Sequence, residues 1–412
     1  MHDPCLTTEH RPLLAFPDAV ARLVEGTSPI QGIEYLGLGQ ATGRVLAREV
    51  RSTIDYPPFT NSAVDGFALS APATAGSEFT IVGTAWAGSP FLSPVGPAEC
   101  VRILTGASLP EGTDAVIMQE EASIHDRRVS LNRAIAADEC VRRAGRDFTA
   151  GQTVLSAGHR LSALDIGLLA AIGETEIEVL CRPRVGILAT GSELRPPGQG
   201  LEAGQVYDSN RFAVAAVLRG WGVEVSDLGT CADDPEALSN TIGLAAGELD
   251  ALITIGGASV GDADHIMRTF DRLGEVTFWK VAIKPGKPFA FGRVGNCRLF
   301  GLPGNPVSAL VTLLQLVRPA MFRLMGTTAE PPLRITAELT RPITKSNRRL
   351  EFQRGFVQPR TGRIPVVDAL PGQDADRILS FSAANCFIVL PPDSPGADRG
   401  DTVMIEPFAC FF

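Results

Sequence analysis

From about residue 183 onward, short runs of consecutive apolar residues alternate with stretches in which apolar positions recur every three or four residues, a pattern that predicts strand, loop and helix in turn. Val185–Ala189 reads as a strand ending in Thr190-Gly191-Ser192-Glu193, and Tyr207-Asp208-Ser209-Asn210 then leads into an Ala/Val/Leu helix to Arg219. Val223–Leu228 is the next strand, after which Asp233-Asp234-Pro235 caps a helix to about Ala246. Ala251–Ile255 is a third strand, running into Gly256-Gly257-Ala258-Ser259-Val260-Gly261-Asp262-Ala263-Asp264, and a helix follows through Leu273. Leu299–Leu302 is a further strand, and Pro303-Gly304-Asn305-Pro306 turns the chain into a helix with Asn305 as N-cap and Pro306 at its first position. Such repetition implies an α/β domain with a mostly parallel sheet, whose ligands sit beyond the carboxyl ends of the strands.

The flanking regions are patterned differently. Pro17–Val24 has helical spacing, Gln40–Val50 reads as a short helix or turn leading into a strand, and 163–173 (ALDIGLLAAIG) is a compact apolar helix. Between them, from Glu78 to Gly151, short β-like runs alternate with turns. After Met325 the pattern is β-like again (LRITAEL, EFQRGFVQ, NCFIVL, TVMIEP). The predicted organisation is a split N-terminal helical/β scaffold (1–50 and 152–182) interrupted by a β-rich insert (51–151), then the α/β domain (183–328) and a small C-terminal β-domain of barrel-like character (329–412).

Composition narrows the class of partner. The 412 residues are 45% hydrophobic and 20% charged with 42 Gly and 30 Pro, as expected of a turn-rich globular chain of several domains. A net charge of −9 without a run of Lys or Arg argues against nucleic acid. No apolar run reaches the roughly 20 residues of a membrane span, and the mixed N-terminus lacks a signal-peptide core, so a cytoplasmic location is expected. The eight cysteines are scattered and read as buried thiols, and the five histidines lack metal-ligand spacing.

The chemistry concentrates in Trp279–Leu310. In Lys284-Pro285-Gly286-Lys287-Pro288 the prolines exclude helix and hold two cations on a stiff loop. That loop and the glycine-bearing turn at 303–305 suit an anion, although a basic surface turn beside a capped helix would read alike. Neither GxGxxG nor a P-loop is present, because Gly286-Lys287 is followed by Pro288. Asp65-Gly66, after a Pro-stiffened loop, places a carboxylate at another turn.

Taken together, PPFTNSAVDGFA, TGASLPEGTDAVI, GRDF, RPRVGILATGSEL, YDSNR, DDPEAL, GGASVGDAD, WKVAIKPGKPFAFG, GLPGNPVSA and FQRG resemble, in order and across essentially the whole chain, the MoeA family of molybdopterin molybdenumtransferases, related to the gephyrin E domain. The resemblance implies a MogA-like central domain and a transferase for the final step of molybdenum cofactor biosynthesis. Adenylated molybdopterin and molybdate are the implied substrates, Mg²⁺ the implied metal and AMP a product. It further implies a homodimer and a possible molybdopterin adenylyltransferase partner. By family position, Asp65, Glu193, Lys280 and Lys284 are the catalytic candidates, and Asp65, Glu193, Asp233 and Asp264 the metal ligands, hard oxygen donors of the kind Mg²⁺ takes. The substrate-binding candidates are Thr105, Asp147, Ser192, Gly256, Gly257, Ser259, Asp262, Lys287, Pro303, Gly304, Asn305 and Arg354, the last an arm from the β-domain.

One departure stands out. Where the family often has a Gly-Ser pair before a Leu-Ser run, this chain has Gln373-Asp374-Ala375-Asp376-Arg377-Ile378-Leu379-Ser380, and the Asp376 carboxylate would repel molybdate unless Arg377 or a metal offset it. The alternative to an enzyme is a non-catalytic scaffolding or binding protein of the same fold. Retention of both acidic and basic loops favours the enzyme, and the DGFA and FQRG segments argue against an unrelated nucleotide hydrolase.

Overall fold

The computed structural model describes residues 13–256 and 264–412. The first helix, α1 (Phe16–Glu25), turns Ala19 and Leu23 inward. Although the sequence pattern grouped 1–50 as scaffold, α1 packs on the α/β domain, sharing a core with Val185, Ile187 and Leu316. The scaffold is closed by β1 (Ile33–Gly37), which pairs with a strand beyond the insert. The insert itself is built on a six-stranded sheet. Its strands are β2 (Gly66–Leu69), β3 (Glu78–Ala85), β4 (Glu99–Ile103), β5 (Ala115–Met118), β6 (Ala122–His125) and β7 (Arg128–Leu131). They lie in the order β5-β2-β4-β3-β7-β6. The chain then returns through α2 (Ala163–Ala171), started by a capping box in which Ser162 and Asp165 satisfy each other's backbone N–H. Next, β8 (Glu176–Leu180) runs antiparallel to β1, with Ile33 opposite Leu180 and Gly37 opposite Glu176.

The α/β domain follows the predicted alternation: β9 (Arg184–Thr190), α3 (Asn210–Trp221), β10 (Glu224–Cys231), α4 (Pro235–Glu248), β11 (Ala251–Ile255), α5 (Asp264–Leu273), β12 (Glu275–Trp279), a two-residue strand β13 (Ile283–Lys284), β14 (Ala290–Val294) and β15 (Cys297–Leu302). Sheet order is β10-β9-β11-β15-β14-β12, with β10, β9, β11 and β15 mutually parallel and β14 antiparallel to both its neighbours, β15 and β12. Ala251–Ile255 is buried throughout, which is why it reads as an unbroken apolar run. The first strand of the domain therefore lies between the second and the third. At that reversal the flanking loops diverge and leave a crevice.

The helical run after β15 comprises α6 (Pro306–Thr312), one π-helical turn (Leu313–Val317) and α7 (Arg318–Leu324). Pro319 explains the widened turn, since it supplies no N–H and its ring would clash with the carbonyl of Gln315 in regular α geometry. Among the described residues this run, 306–324, is long and apolar enough to cross a membrane, but it is mostly buried in the α/β core.

The C-terminal domain contains β16 (Ile335–Leu339), β17 (Leu350–Arg360), β18 (Arg363–Ala369), α8 (Ile378–Ser382), β19 (Cys386–Leu390) and β20 (Thr402–Pro407). The strands close as β17-β18-β16-β20-β19 and back to β17, a barrel without free inner edges. The Trp221 indole donates to the Phe411 carbonyl at 2.6 Å, tying the end of the chain to α3. The cysteines among the described residues are all free thiols, and burial pushes Cys100, Cys297 and Cys386 up to about 12.

Candidate functional site

At the carboxyl ends of β9, β11 and β15 lies a cavity of about 650 Å³. Its walls come from Thr190, Gly191 and Glu193 after β9, Asp233 after β10, Gly256 after β11, Pro303–Pro306 after β15, and Asp208 and Asn210 at the start of α3. Two glycines have steric reasons to be there. Gly256 has φ +98°, and a Cβ on it would stand 2.4 Å from the Thr190 carbonyl oxygen. A Cβ on Gly191 would stand 2.7 Å from both carboxylate oxygens of Glu193, so this glycine leaves room for that side chain.

The acidic wall is held by local hydrogen bonds. The Ser192 backbone N–H donates to Asp233 Oδ2 at 3.1 Å, which locates that carboxylate beside the Glu193 turn. Asp234, not Asp233, caps α4, accepting from the N–H groups of Glu236 and Ala237. Asp233 is therefore not consumed as the helix cap. Asp208, 2% exposed, accepts from Arg211 Nε at 2.6 Å, and Arg211 also pairs with Asp227. The Asn210 amide donates to the Gly304 carbonyl at 2.6 Å, bracing α3 against the Pro303-Gly304-Asn305 turn. Asn305 occupies the N-cap position of α6 with extended backbone, but its side chain makes no capping bond. Gly304 and Asn305 are exposed at the cavity wall, whereas Pro303 is buried.

The basic loop stands beside this crevice, and its Pro288 lines the cavity. Lys280 holds φ +72°; its N–H donates to the Phe289 carbonyl at 3.0 Å and its carbonyl accepts from the Leu14 N–H at 3.3 Å. The Val281 N–H donates to the carbonyl of the exposed Lys287 at 3.0 Å, closing the loop on itself. Lys284, in β13, places Nζ 3.2 Å from Glu351 Oε1 of the barrel.

Other candidates stand elsewhere in the chain. Asp65 and Thr105 are neighbours in the insert and are not among the residues lining the cavity. The Thr105 backbone N–H and hydroxyl each donate to Asp65 Oδ1 at 2.8 Å, and these bonds hold the carboxyl below its usual range. Asp147 is exposed, its backbone N–H donating to the Tyr56 carbonyl at 3.0 Å. Arg354 is 0% exposed, and its guanidinium donates to the carbonyls of Gly372, Gln373 and Asp374 and to Ser380 Oγ. Its charge is thus directed into the 372–380 loop. That loop reaches the cavity: Asp376 is part of the lining, and the Val307 N–H donates to the Ala375 carbonyl at 3.0 Å. Asp264 is the first residue of α5. Gly257, Ser259 and Asp262 lie outside the described residues.

Of the carboxylates lining the cavity, Asp208 is paired with Arg211 and Asp376 stands on the barrel loop, which leaves Glu193 and Asp233 beside the strand ends as hard oxygen donors for a cation; no group of three His, Cys, Asp or Glu among the described residues could hold a metal. Two carboxylates fit Mg²⁺, which usually keeps several waters and shares its remaining positions with substrate phosphate. In the sequence, YDSN reads only as the lead into a helix, and nothing in it marks Asp208 and Asn210 as part of the site. Their position between β9 and α3, at the carboxyl edge of the sheet, was the available signal.

Models of three families match the chain: the MoeA N-terminal region (domain I and II) at residues 14–173, a probable molybdopterin binding domain at 186–323, and the MoeA C-terminal region (domain IV) at 336–408. A protein of Haemophilus influenzae named molybdopterin molybdenumtransferase is 39% identical over 96% of this chain and 99% of its own length. One of the same name from Staphylococcus aureus is 31% identical, with 97% of each chain covered. The crystal structure of the molybdopterin biosynthesis MoeA protein of Pyrococcus horikoshii superposes with a TM-score of 0.83 at 27% identity, covering 96% of this chain and all of the other.

Proposed function

This chain belongs to the MoeA family, and from that premise we propose that it is a molybdopterin molybdenumtransferase, inserting molybdenum from molybdate into adenylated molybdopterin with release of AMP. The observation that carries the reading is the cavity of about 650 Å³ at the sheet reversal, lined by Glu193 and Asp233 and walled by the 303–306 turn. Glu193 and Asp233 would hold Mg²⁺ there, and the bound ion would offset charge on the adenylate phosphates. Ser192 keeps Asp233 turned toward that position. Lys280 and Lys284, on the adjoining loop, oppose the negative charge of molybdate and of the pyrophosphate link.

Asp65 and Thr105 belong to the same chemistry through a second chain. In a homodimer with composite sites, the insert of one protomer would bring this pre-ionised carboxylate to the cavity of its partner. The enzyme would work in the cytoplasm, receiving the adenylate from a molybdopterin adenylyltransferase. Purified protein supplied with Mg²⁺, molybdate and adenylated molybdopterin is expected to release AMP, measured by chromatography, and Asp65→Asn or Glu193→Gln is expected to suppress release without loss of fold. No AMP from the unsubstituted protein would refute the activity, and undiminished release in both variants would remove those carboxylates from it.

A further inference from the structure

We infer that Glu351 is a positioning residue for Lys284, a buried barrel carboxylate that fixes the ammonium group of the anion loop and so makes anion binding depend on how the C-terminal barrel is seated. The inference rests on the placement of Lys284 in the anion site proposed above.

The two residues are brought together by backbone pairing between domains. Strand β13, which belongs to the α/β region, lies parallel to β17 of the barrel, with Ile283 opposite Leu350 and Lys284 opposite Glu351. The Leu350 N–H donates to the Ala282 carbonyl at 3.0 Å and Arg349 Nη1 to the Ile283 carbonyl at 3.1 Å, so the backbone leading into the lysine is bonded to the barrel at two successive residues. The loop bearing the lysines is thereby an extra edge of the barrel.

At this junction Glu351 is 2% exposed. Its Oε1 accepts from Gln353 Nε2 at 2.9 Å and meets Lys284 Nζ at 3.2 Å, while its Oε2 accepts from Asn347 Nδ2 at 2.7 Å. Amides on both oxygens fix the carboxylate, and a fixed, buried carboxylate fixes its cation, since leaving such a charge unpaired is strongly unfavourable. Other nearby cations are committed elsewhere: Lys345 Nζ donates to the carbonyls of Asn347, Pro391 and Pro392 at 2.9, 2.7 and 2.9 Å, Arg349 donates to the Ile283 carbonyl, and Arg354 to the 372–380 loop. Lys284 by contrast keeps 40% of its side chain exposed. An ammonium group has three donors. With one turned toward Glu351, the remaining donors are available to a ligand on the open side, in an orientation set before the ligand arrives.

The test is molybdate-dependent AMP release, with KM for molybdate and kcat determined for Lys284→Met, Glu351→Gln, Glu351→Asp and the double variant. Loss of one charge-assisted contact predicts a KM rise of roughly tenfold in Lys284→Met. Glu351→Gln is expected to raise KM at least about threefold with kcat within about twofold, Glu351→Asp to recover part of that loss, and the double variant to be no worse than Lys284→Met alone, the non-additivity expected of groups acting as one unit. An unchanged KM in Glu351→Gln beside a raised KM in Lys284→Met would overturn the positioning role and leave the anion site standing. An unchanged KM in Lys284→Met would instead overturn the premise. Should Glu351→Gln not fold, Glu351→Asp, which keeps the charge but withdraws it by one methylene, carries the same comparison, and an unchanged KM in it would likewise overturn the role.

Discussion

Replacing Arg354 by methionine should loosen the C-terminal domain, because this residue is the strut of the 372–380 loop. The guanidinium is fully buried and donates to the Gly372, Gln373 and Asp374 carbonyls at 2.8, 3.0 and 2.9 Å and to Ser380 Oγ at 3.2 Å. Methionine fills most of the stem but supplies no donor. Each buried acceptor left unpaired costs about 1–3 kcal/mol. Part is returned, since Asp374 is exposed and can turn to water and a buried guanidinium is no longer desolvated. A net loss of about 2–4 kcal/mol follows, which for a domain of this size melting on its own is a fall of about 10–20 °C. Calorimetry would measure it, and hydrogen exchange on peptides spanning 370–382 would localise it. Arg354→Lys should be nearly as damaging, because a single ammonium cannot replace the planar fork. The loop also braces the cavity wall, its Ala375 carbonyl accepting from the Val307 N–H at 3.0 Å, so molybdate binding should weaken in parallel with loop exchange. A variant that keeps the melting temperature and exchange of the parent while losing molybdate would refute the strut and make Arg354 a direct ligand group.

Two further outcomes are expected. Thr105→Val removes the hydroxyl bond to Asp65 and should let its carboxyl rise toward the ordinary range. Because the folded-state value is depressed, whatever depends on the ionised form is present above the unfolded value and lost as pH falls through the folded one, so the acid limb of activity should move to higher pH; an unmoved limb, or an unmoved Asp65 signal in an NMR titration, would count against the assignment. Gly256→Ala meets both a φ of +98° and the Thr190 carbonyl at 2.4 Å, and should cost roughly 2 kcal/mol or more, whereas Gly198→Ala, at φ +95° with nothing within 4 Å, should cost only about 1 kcal/mol; equal melting shifts would show that the contact is not the cause.

Much of the α/β domain is readable from the chain alone because its determinants are local. A strand buried on both faces is an uninterrupted apolar run, as in Ala251–Ile255, and a helix start carries its own signature, as at Asp234-Pro235 and Asn305-Pro306. The motif order placed Glu193 and the 303–305 turn at strand ends and Asp233 at a helix start, and the parallel topology then put them in one crevice. Arg363–Ala369 was not foreseen as a strand, since a proline and charged ends mask it until the barrel closes around it.

What the chain order could not supply is which long-range partner each side chain meets. Arg354 reads as a free arm and is a buried strut; Lys284 reads as a bare cation and is paired with a carboxylate 67 positions away across a domain junction. Helix α1 reads as scaffold and joins the α/β core. Propensity, caps and turn chemistry act over a few residues and are written in sequence. Burial, pairing and the ionisation of a carboxylate depend on groups distant in the chain that only packing brings together, so the local sequence set the elements and their chemistry, while the tertiary structure decided which charges stay open to a ligand.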